Sequence, residues 1–145
     1  MQTTAEYNQD FYAWLMTNAE LLRAHDFTGL DAENIAEELE AMGKQEKREL
    51  INRLAVLLTH LLKWKFQSHR RSKSWRNTIV TQRIDILALI EDSPSLKYEI
   101  GGKIDTTYEK ARLGAENETG IDKENFPEIC PFTLEELLTK DFFPK

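Results

Sequence analysis

The leucine pattern between residues 50 and 62 constrains the fold of this chain more than any other feature. Six leucines recur there at steps of three or four residues, the spacing of one helix face: Leu50, Leu54, Leu57, Leu58, Leu61 and Leu62. Ile51 and Val56 widen the stripe beyond a single face. This pattern predicts a central helix over about 44–67 whose surface other helices must cover.

Apolar periodicity and helix-breaking residues predict the other long helices. These helices are expected at about 9–24, 32–42, 74–91 and 95–116. Asp31 is expected to cap the helix at 32, and Gly43 is expected to end it. The pair Gly101 and Gly102 is a weak point of the helix over 95–116.

The end of the chain has a different character. Gly120 begins an irregular tail, and Thr133 followed by Glu136 forms a capping box that opens one short last helix. With only 6 glycines and 4 prolines, the chain lacks the turns of a β-rich protein. The predicted fold is therefore all-α: a compact bundle of about five helices, with an irregular C-terminal tail and one short last helix, in a single domain over 1–145.

Charge is distributed unevenly along this acidic chain. The net charge is −6, from 25 acidic and 19 basic side chains, yet residues 50–84 hold eight lysines and arginines and no acid. Most of these cations crowd the junction between the third and fourth predicted helices: Lys63, Lys65, Arg70, Arg71, Lys73 and Arg76. Aromatic residues, among them Trp75, lie between them.

This basic hairpin has two interpretations. Cations interleaved with aromatic rings are typical of surfaces that bind nucleic acid or another anion. Alternatively, the cations pair with acidic helices of the same bundle, since charge runs are often neutralised internally. The leading hypothesis is a non-enzymatic binding or interaction module whose partner is nucleic acid, a phosphate-bearing ligand or an acidic protein.

Arg83 lies about 20° outside the apolar stripe of its helix when 100° is allowed per residue. That stripe consists of Trp75, Ile79, Ile86 and Ile90. Arg83 is therefore expected to be at least partly buried and to need an acidic partner. Glu38 is the predicted partner, because it lies at the edge of an inner face expected to comprise Ile35, Leu39 and Met42.

A metal-dependent hydrolase is the alternative from another functional class. Glu37, Glu38 and Glu40 are similar to the acidic clusters with which helical nucleotide pyrophosphatases bind magnesium, and His60 could add a nitrogen ligand. The repeated Glu-x-x-His pattern of bundle di-metal sites is absent from the sequence. We therefore expect no metal, no cofactor and no catalytic residue, with Glu38 and His60 as weak metal candidates.

The single cysteine, Cys130, excludes an internal disulfide, and no apolar run is long enough to cross a membrane. With a polar, acidic start, the sequence predicts a cytoplasmic protein. The aromatic tail is expected to pack across its own bundle. It could instead dock on a second subunit, so a homodimer and a purely structural role stay open.

Several blocks of the sequence resemble the bacterial family called "domain of unknown function 29". In order, they are DFYAWL (10–15), EELEAMG (37–43), HLLKWKFQ (60–67), RRSKSWRNTI (70–79), QR (82–83), SPSL (93–96), ETG (118–120), FPEICP (126–131) and DFFP (141–144). The resemblance covers essentially the whole chain. It implies a bacterial, all-α protein and supplies no activity or site residues.

Overall fold

Seven α-helices form the secondary structure of the computed structural model, which describes residues 2–145 and the side chains of residues 6–145. They are α1 (Gln2–Gln9), α2 (Phe11–Arg23), α3 (Ala32–Phe66), α4 (Lys73–Asp92), α5 (Leu96–Gly101), α6 (Ile104–Thr119) and α7 (Leu134–Leu138). Two short 3-10 turns occupy Ser68–Arg70 and Lys123–Asn125. Residues 2–145 contain no strand, so the predicted all-α class is confirmed.

Capping residues set several helix ends. Asp10 accepts a hydrogen bond from the amide of Ala13 at the start of α2, and Ser72 accepts one from Trp75 at the start of α4. Thr133 and Glu136 form the predicted capping box of α7. Gly120 ends α6 with a φ of 78°, a conformation that costs other residues about 1–2 kcal/mol.

The predicted second and third helices are one continuous helix, α3, of 35 residues. The expectation that Gly43 ends a helix was therefore wrong. Gly43 does not adopt the left-handed conformation that terminates a helix, since among the described glycines only Gly120 has a positive φ. The chain tolerates a cost of about 1 kcal/mol at Gly43 because good helix formers flank it.

The expectation of one continuous helix over 95–116 was wrong, because the segment forms two helices that separate at the glycine pair expected to be its weak point. α5 ends at Gly101, and α6 begins at Ile104 after Gly102 caps α5. Glycine costs about 1 kcal/mol in a helix interior, and two in succession are enough to separate the segments here.

The described chain divides into two compact units, one formed by residues up to Gln45 and one by Glu46–Lys145. In the first unit the buried Trp14 donates its indole N–H to Asp31 at 2.9 Å, and Asn18 accepts from the Asp31 amide. Leu39 and Met42 are 64% and 63% exposed, so the predicted inner face of their helix was wrong. The expectation of a single domain stays a prediction.

The second unit contains the apolar core. All six leucines of the initial pattern are at most 1% exposed, which is worth about 2 kcal/mol for each. The other helices and the tail complete the core with Ile79, Ile86, Leu96, Ile100, Tyr108, Ala111, Ala115, Phe126, Phe132 and Leu137. The aromatic tail thus packs on the core of its own chain.

α6 approaches α3 closely at Gly114, a half-buried residue beside the core. A Cβ atom at Gly114 would lie 3.1 Å from the hydroxyl oxygen of Thr59, so the Thr59 side chain would have to shift by a few tenths of an ångström to admit a larger residue. Among the described helices, none combines the length and apolar character needed to cross a lipid bilayer.

Gly43→Ala tests the continuity of α3. A Cβ at this exposed position meets no atom within 4 Å, so alanine should raise the free energy of unfolding by about 0.5–1 kcal/mol. Gly120→Ala is the matched control and should lower it by about 1 kcal/mol, because of the positive φ. Urea denaturation followed by circular dichroism measures both; destabilisation by Gly43→Ala would mean that a helix ends there.

Candidate functional site

The link between α3 and α4 brings the predicted cations together. α3 ends at Phe66, a 3-10 turn follows, and the Ser72 hydroxyl caps the first turn of α4. Because the link is short, the cations lie near one another: on the last turn of α3, on and beside the 3-10 turn, and on the first turn of α4. We call residues 63–76 the basic connection.

Lys63 is an internal cation. Its side chain is buried, and its Nζ lies 3.7 Å from a carboxylate oxygen of Glu118 and 4.6 Å from the ring centre of Trp75. The ammonium group therefore occupies one face of the half-buried Trp75 ring. Neither residue offers the free charge or the free stacking face that the sequence predicted for a ligand.

Arg71 has a docking role. Its Nε donates to the carbonyl oxygen of Trp64 at 2.8 Å, and its Nη2 donates to that of Pro144 at 3.4 Å. The guanidinium carbon lies 4.9 Å from the Trp64 ring centre, and Phe143 packs on the same ring. Arg71 thus ties the end of the chain to the end of α3.

Four cations of the basic connection are exposed and form no ion pair in the part of the chain that the structure describes. They are Lys65, Arg70, Lys73 and Arg76. We call them the free cations. Among residues 6–145, one ring contact of this group is seen, a distant one from the Nζ of Lys65 to the ring centre of Phe66 at 6.0 Å. These four residues keep the ability to bind an anion from solution.

Arg83 is 1% exposed, so its predicted burial is confirmed. Its Nε donates to the carbonyl oxygen of Leu137 at 2.9 Å, and its Nη1 donates to those of Phe142 at 2.7 Å and Lys140 at 3.4 Å. Burial lowers the pKa of Arg83, and the negative charge of Asp141 opposes this effect. The guanidinium group thus holds residues 137–144, which we call the C-terminal segment, through these backbone oxygens.

Glu38, the predicted partner of Arg83, accepts a hydrogen bond from the hydroxyl of Tyr7. This hydrogen bond raises the pKa of Tyr7, because loss of the proton would place two negative charges side by side. Each member of the predicted pair thus has partners within its own unit. The ion pair between Arg83 and Glu38 stays a prediction, and backbone carbonyls are acceptors that it did not consider.

Glu38 and His60, the weak metal candidates, belong to different units. His60 donates from Nδ1 to the carbonyl oxygen of Val56 at 3.0 Å, and burial lowers its pKa. Its imidazole is therefore neutral near pH 7. Within residues 6–145, whose side chains are described, no group of three or more His, Cys, Asp or Glu residues could hold a metal ion.

These features define an all-helical protein with four exposed cations in its basic connection and a C-terminal segment held by two arginines. The family model described as "Domain of unknown function DUF29" matches residues 6–143, nearly the whole chain. The chain belongs to this family, as the resemblance of its sequence blocks indicated. No curated protein and no solved structure gives a significant match to it.

Arg71→Ala tests the docking role against a ligand-binding role. Loss of its hydrogen bonds to Trp64 and Pro144 should lower the free energy of unfolding by about 1–3 kcal/mol and speed carboxypeptidase digestion of the C-terminus. Arg70→Ala is the neighbouring control, which removes an exposed arginine and should change neither quantity. Equal behaviour of the two variants would contradict the docking role.

Proposed function

We propose that this chain is a nucleic-acid-binding module whose working surface is the set of free cations, and that its ligand is single-stranded. The observation that carries the proposal is that Lys65, Arg70, Lys73 and Arg76 are exposed and lack ion pairs among the described residues. Four such cations lie within twelve residues of sequence, and lysines and arginines that contact phosphates supply most of the affinity for a nucleic-acid backbone.

The local sequence explains why these four cations lack acidic partners in a protein that is acidic overall. Residues 50–84 contain no acid that could pair with them along the chain. Glu118, which the fold brings to the basic connection, is occupied by Lys63. A local positive potential can therefore attract an anion although the net charge is −6.

A polar groove on α4 adjoins one of the free cations. It has a volume of about 550 Å³. Its lining comprises Lys73, Ser74, Asn77, Thr78, Thr81 and Gln82. Hydroxyl and amide groups of this kind contact phosphate and sugar oxygens in protein–nucleic acid complexes. The groove would extend the charged surface along about two turns of helix.

Exposed rings favour a single strand over a duplex. His69 is exposed, and Phe66 is 37% exposed although its ring packs edge-on against Phe126 and has the Nζ of Lys65 at the longer distance of 6.0 Å; both residues lie within the basic connection. Unpaired bases stack on such rings, whereas the bases of a duplex are already stacked on one another. Trp64 and Trp75 do not contribute, since Arg71 and Lys63 lie against their rings.

The salt dependence of binding to a fluorescent single-stranded oligonucleotide tests the proposal. The logarithm of the affinity falls linearly with the logarithm of the salt concentration. Each phosphate contact to a single strand adds about 0.7 to the steepness of this fall. Four contacts predict that affinity falls roughly fifty-fold when the salt concentration rises fourfold. Fluorescence anisotropy measures this change, and absence of binding at low salt would end the proposal.

Two charge-reversal variants distinguish the effect of the free cations on binding from the effect of the net charge. The test variant carries K65E, R70E, K73E and R76E. The control variant reverses four exposed lysines outside the basic connection that have no ion pair in the described structure: K97E, K103E, K110E and K140E. Only the test variant should lose binding. Equal losses, or displacement of the oligonucleotide by polyglutamate at the same charge concentration, would contradict a specific nucleic-acid surface.

A further inference from the structure

One face of α2 is apolar although it lies open to solvent. Tyr12 is 71% exposed, Leu15 38% and Leu22 44%. When 100° is allowed per residue, these side chains and the half-buried Ala19 form a stripe about 80° wide. We call these four residues the α2 seam. Exposed helix faces are normally polar, so an apolar face of this kind is typical of a surface that another molecule covers.

The buried face of the same helix points in a different direction. Trp14 and Asn18 are buried, and both form hydrogen bonds with Asp31. On the helix wheel, their mean direction lies about 100° from that of the α2 seam. The hydrogen bonds that hold α2 within its own unit therefore do not involve the seam.

The spacing of the seam indicates what covers it. Residues 12, 15, 19 and 22 follow one another at alternating steps of three and four, like the a and d positions of two heptads. With this pattern one helix packs lengthwise on another at a distance of about 8–10 Å. An anionic membrane surface fits less well, since residues 1–45 hold nine acids and only two lysines or arginines.

The side-chain sizes along the seam suit a second copy of the same seam. Two α2 helices can pack antiparallel about a two-fold axis with Tyr12 of one copy opposite Leu22 of the other. In that register Leu15 of one copy lies opposite Ala19 of the other. Each layer then joins a larger side chain with a smaller one, which fills the space between the helices without overpacking it.

The charges at the two ends of α2 favour the same antiparallel arrangement. Asp10 is exposed at the start of the helix, and Arg23 is exposed at its end and forms no ion pair among residues 6–145. Antiparallel packing brings Arg23 of one copy beside Asp10 of the other, twice in a symmetric dimer. A parallel arrangement would place Arg23 against Arg23, which is unfavourable.

We propose that the chain forms a symmetric homodimer in which the α2 seams of two copies pack antiparallel. Phe11 and Met16, which are 44% and 46% exposed, flank the seam and enlarge the surface. A helix of 13 residues is about 20 Å long, which is short for the roughly 800 Å² that each partner contributes to a stable complex. The dissociation constant is therefore on the order of 10 μM.

Sedimentation equilibrium of the full chain, from about 1 μM to about 1 mM, measures this association. Tyr12→Glu places a charge in the apolar contact and should raise the dissociation constant at least about a hundredfold. Tyr98→Glu is the matched control at a tyrosine outside α2 that is 84% exposed, and it should leave the dissociation constant unchanged.

Circular dichroism checks that both variants keep their helices. A chain that stays monomeric over the whole concentration range, or equal weakening by the two substitutions, would overturn the proposal. Binding of the monomer to anionic vesicles that is lost in Tyr12→Glu would overturn it too, because the seam would then belong to a membrane surface.

Exchange of one large and one small residue tests the register. Ala19→Leu places two leucines in each central layer, and Leu15→Ala leaves two alanines there; each should weaken dimerisation about tenfold. The double variant again has one leucine and one alanine in each layer, so it should recover the original dissociation constant within about threefold. A double variant that shows the summed losses of the two single variants would refute the antiparallel pairing of these residues.

Discussion

The hydrogen bonds from the buried Arg83 guanidinium to Leu137, Lys140 and Phe142 fix the C-terminal segment on the core. A positive charge loses its hydration when it is buried, and this loss is tolerable only where good acceptors replace water. Carbonyl oxygens at and beyond the end of α7 supply those acceptors, since the last carbonyls of a helix have no partner within the helix. One arginine on α4 thus positions a segment more than fifty residues away in the sequence.

The arginines and lysines between residues 63 and 83 divide into two groups by environment. Lys63, Arg71 and Arg83 hold the structure together, through Glu118 and through backbone oxygens. The free cations, by contrast, have no such partners in the described chain. A basic block in a sequence is therefore not equivalent to a basic surface, and only part of this block supports the proposed binding function.

Local patterns predicted most of the helices and the main core. The six leucines, Ile79 and Ile86 are buried. Their burial was predictable, because the spacing of apolar residues marks the face of a helix that is covered. The same reasoning placed Arg83 inside. Reasoning from local patterns failed at Gly43, where the conformational cost of a glycine did not end a long helix. It also failed at Leu39 and Met42, whose spacing suggested a covered face although both side chains are exposed.

The partners of the cations could not be predicted in the same way. The contact between Lys63 and Glu118 joins residues far apart in the sequence, and nothing local indicates it. Backbone carbonyl oxygens occur at every residue, so no residue type marks the acceptors of Arg71 and Arg83. The free cations could be identified only after the occupied cations had been placed.

NMR detection of scalar coupling across the hydrogen bond from Arg83 Nε to the Leu137 carbonyl tests the central claim most directly. With isotope-labelled full chain, we expect a slowly exchanging Arg83 Nε–H that is coupled to the carbonyl carbon of Leu137. The exposed Arg70 and Arg76 should exchange rapidly and provide internal references. An Arg83 Nε–H that exchanges as fast as theirs, with no coupling, would contradict the account.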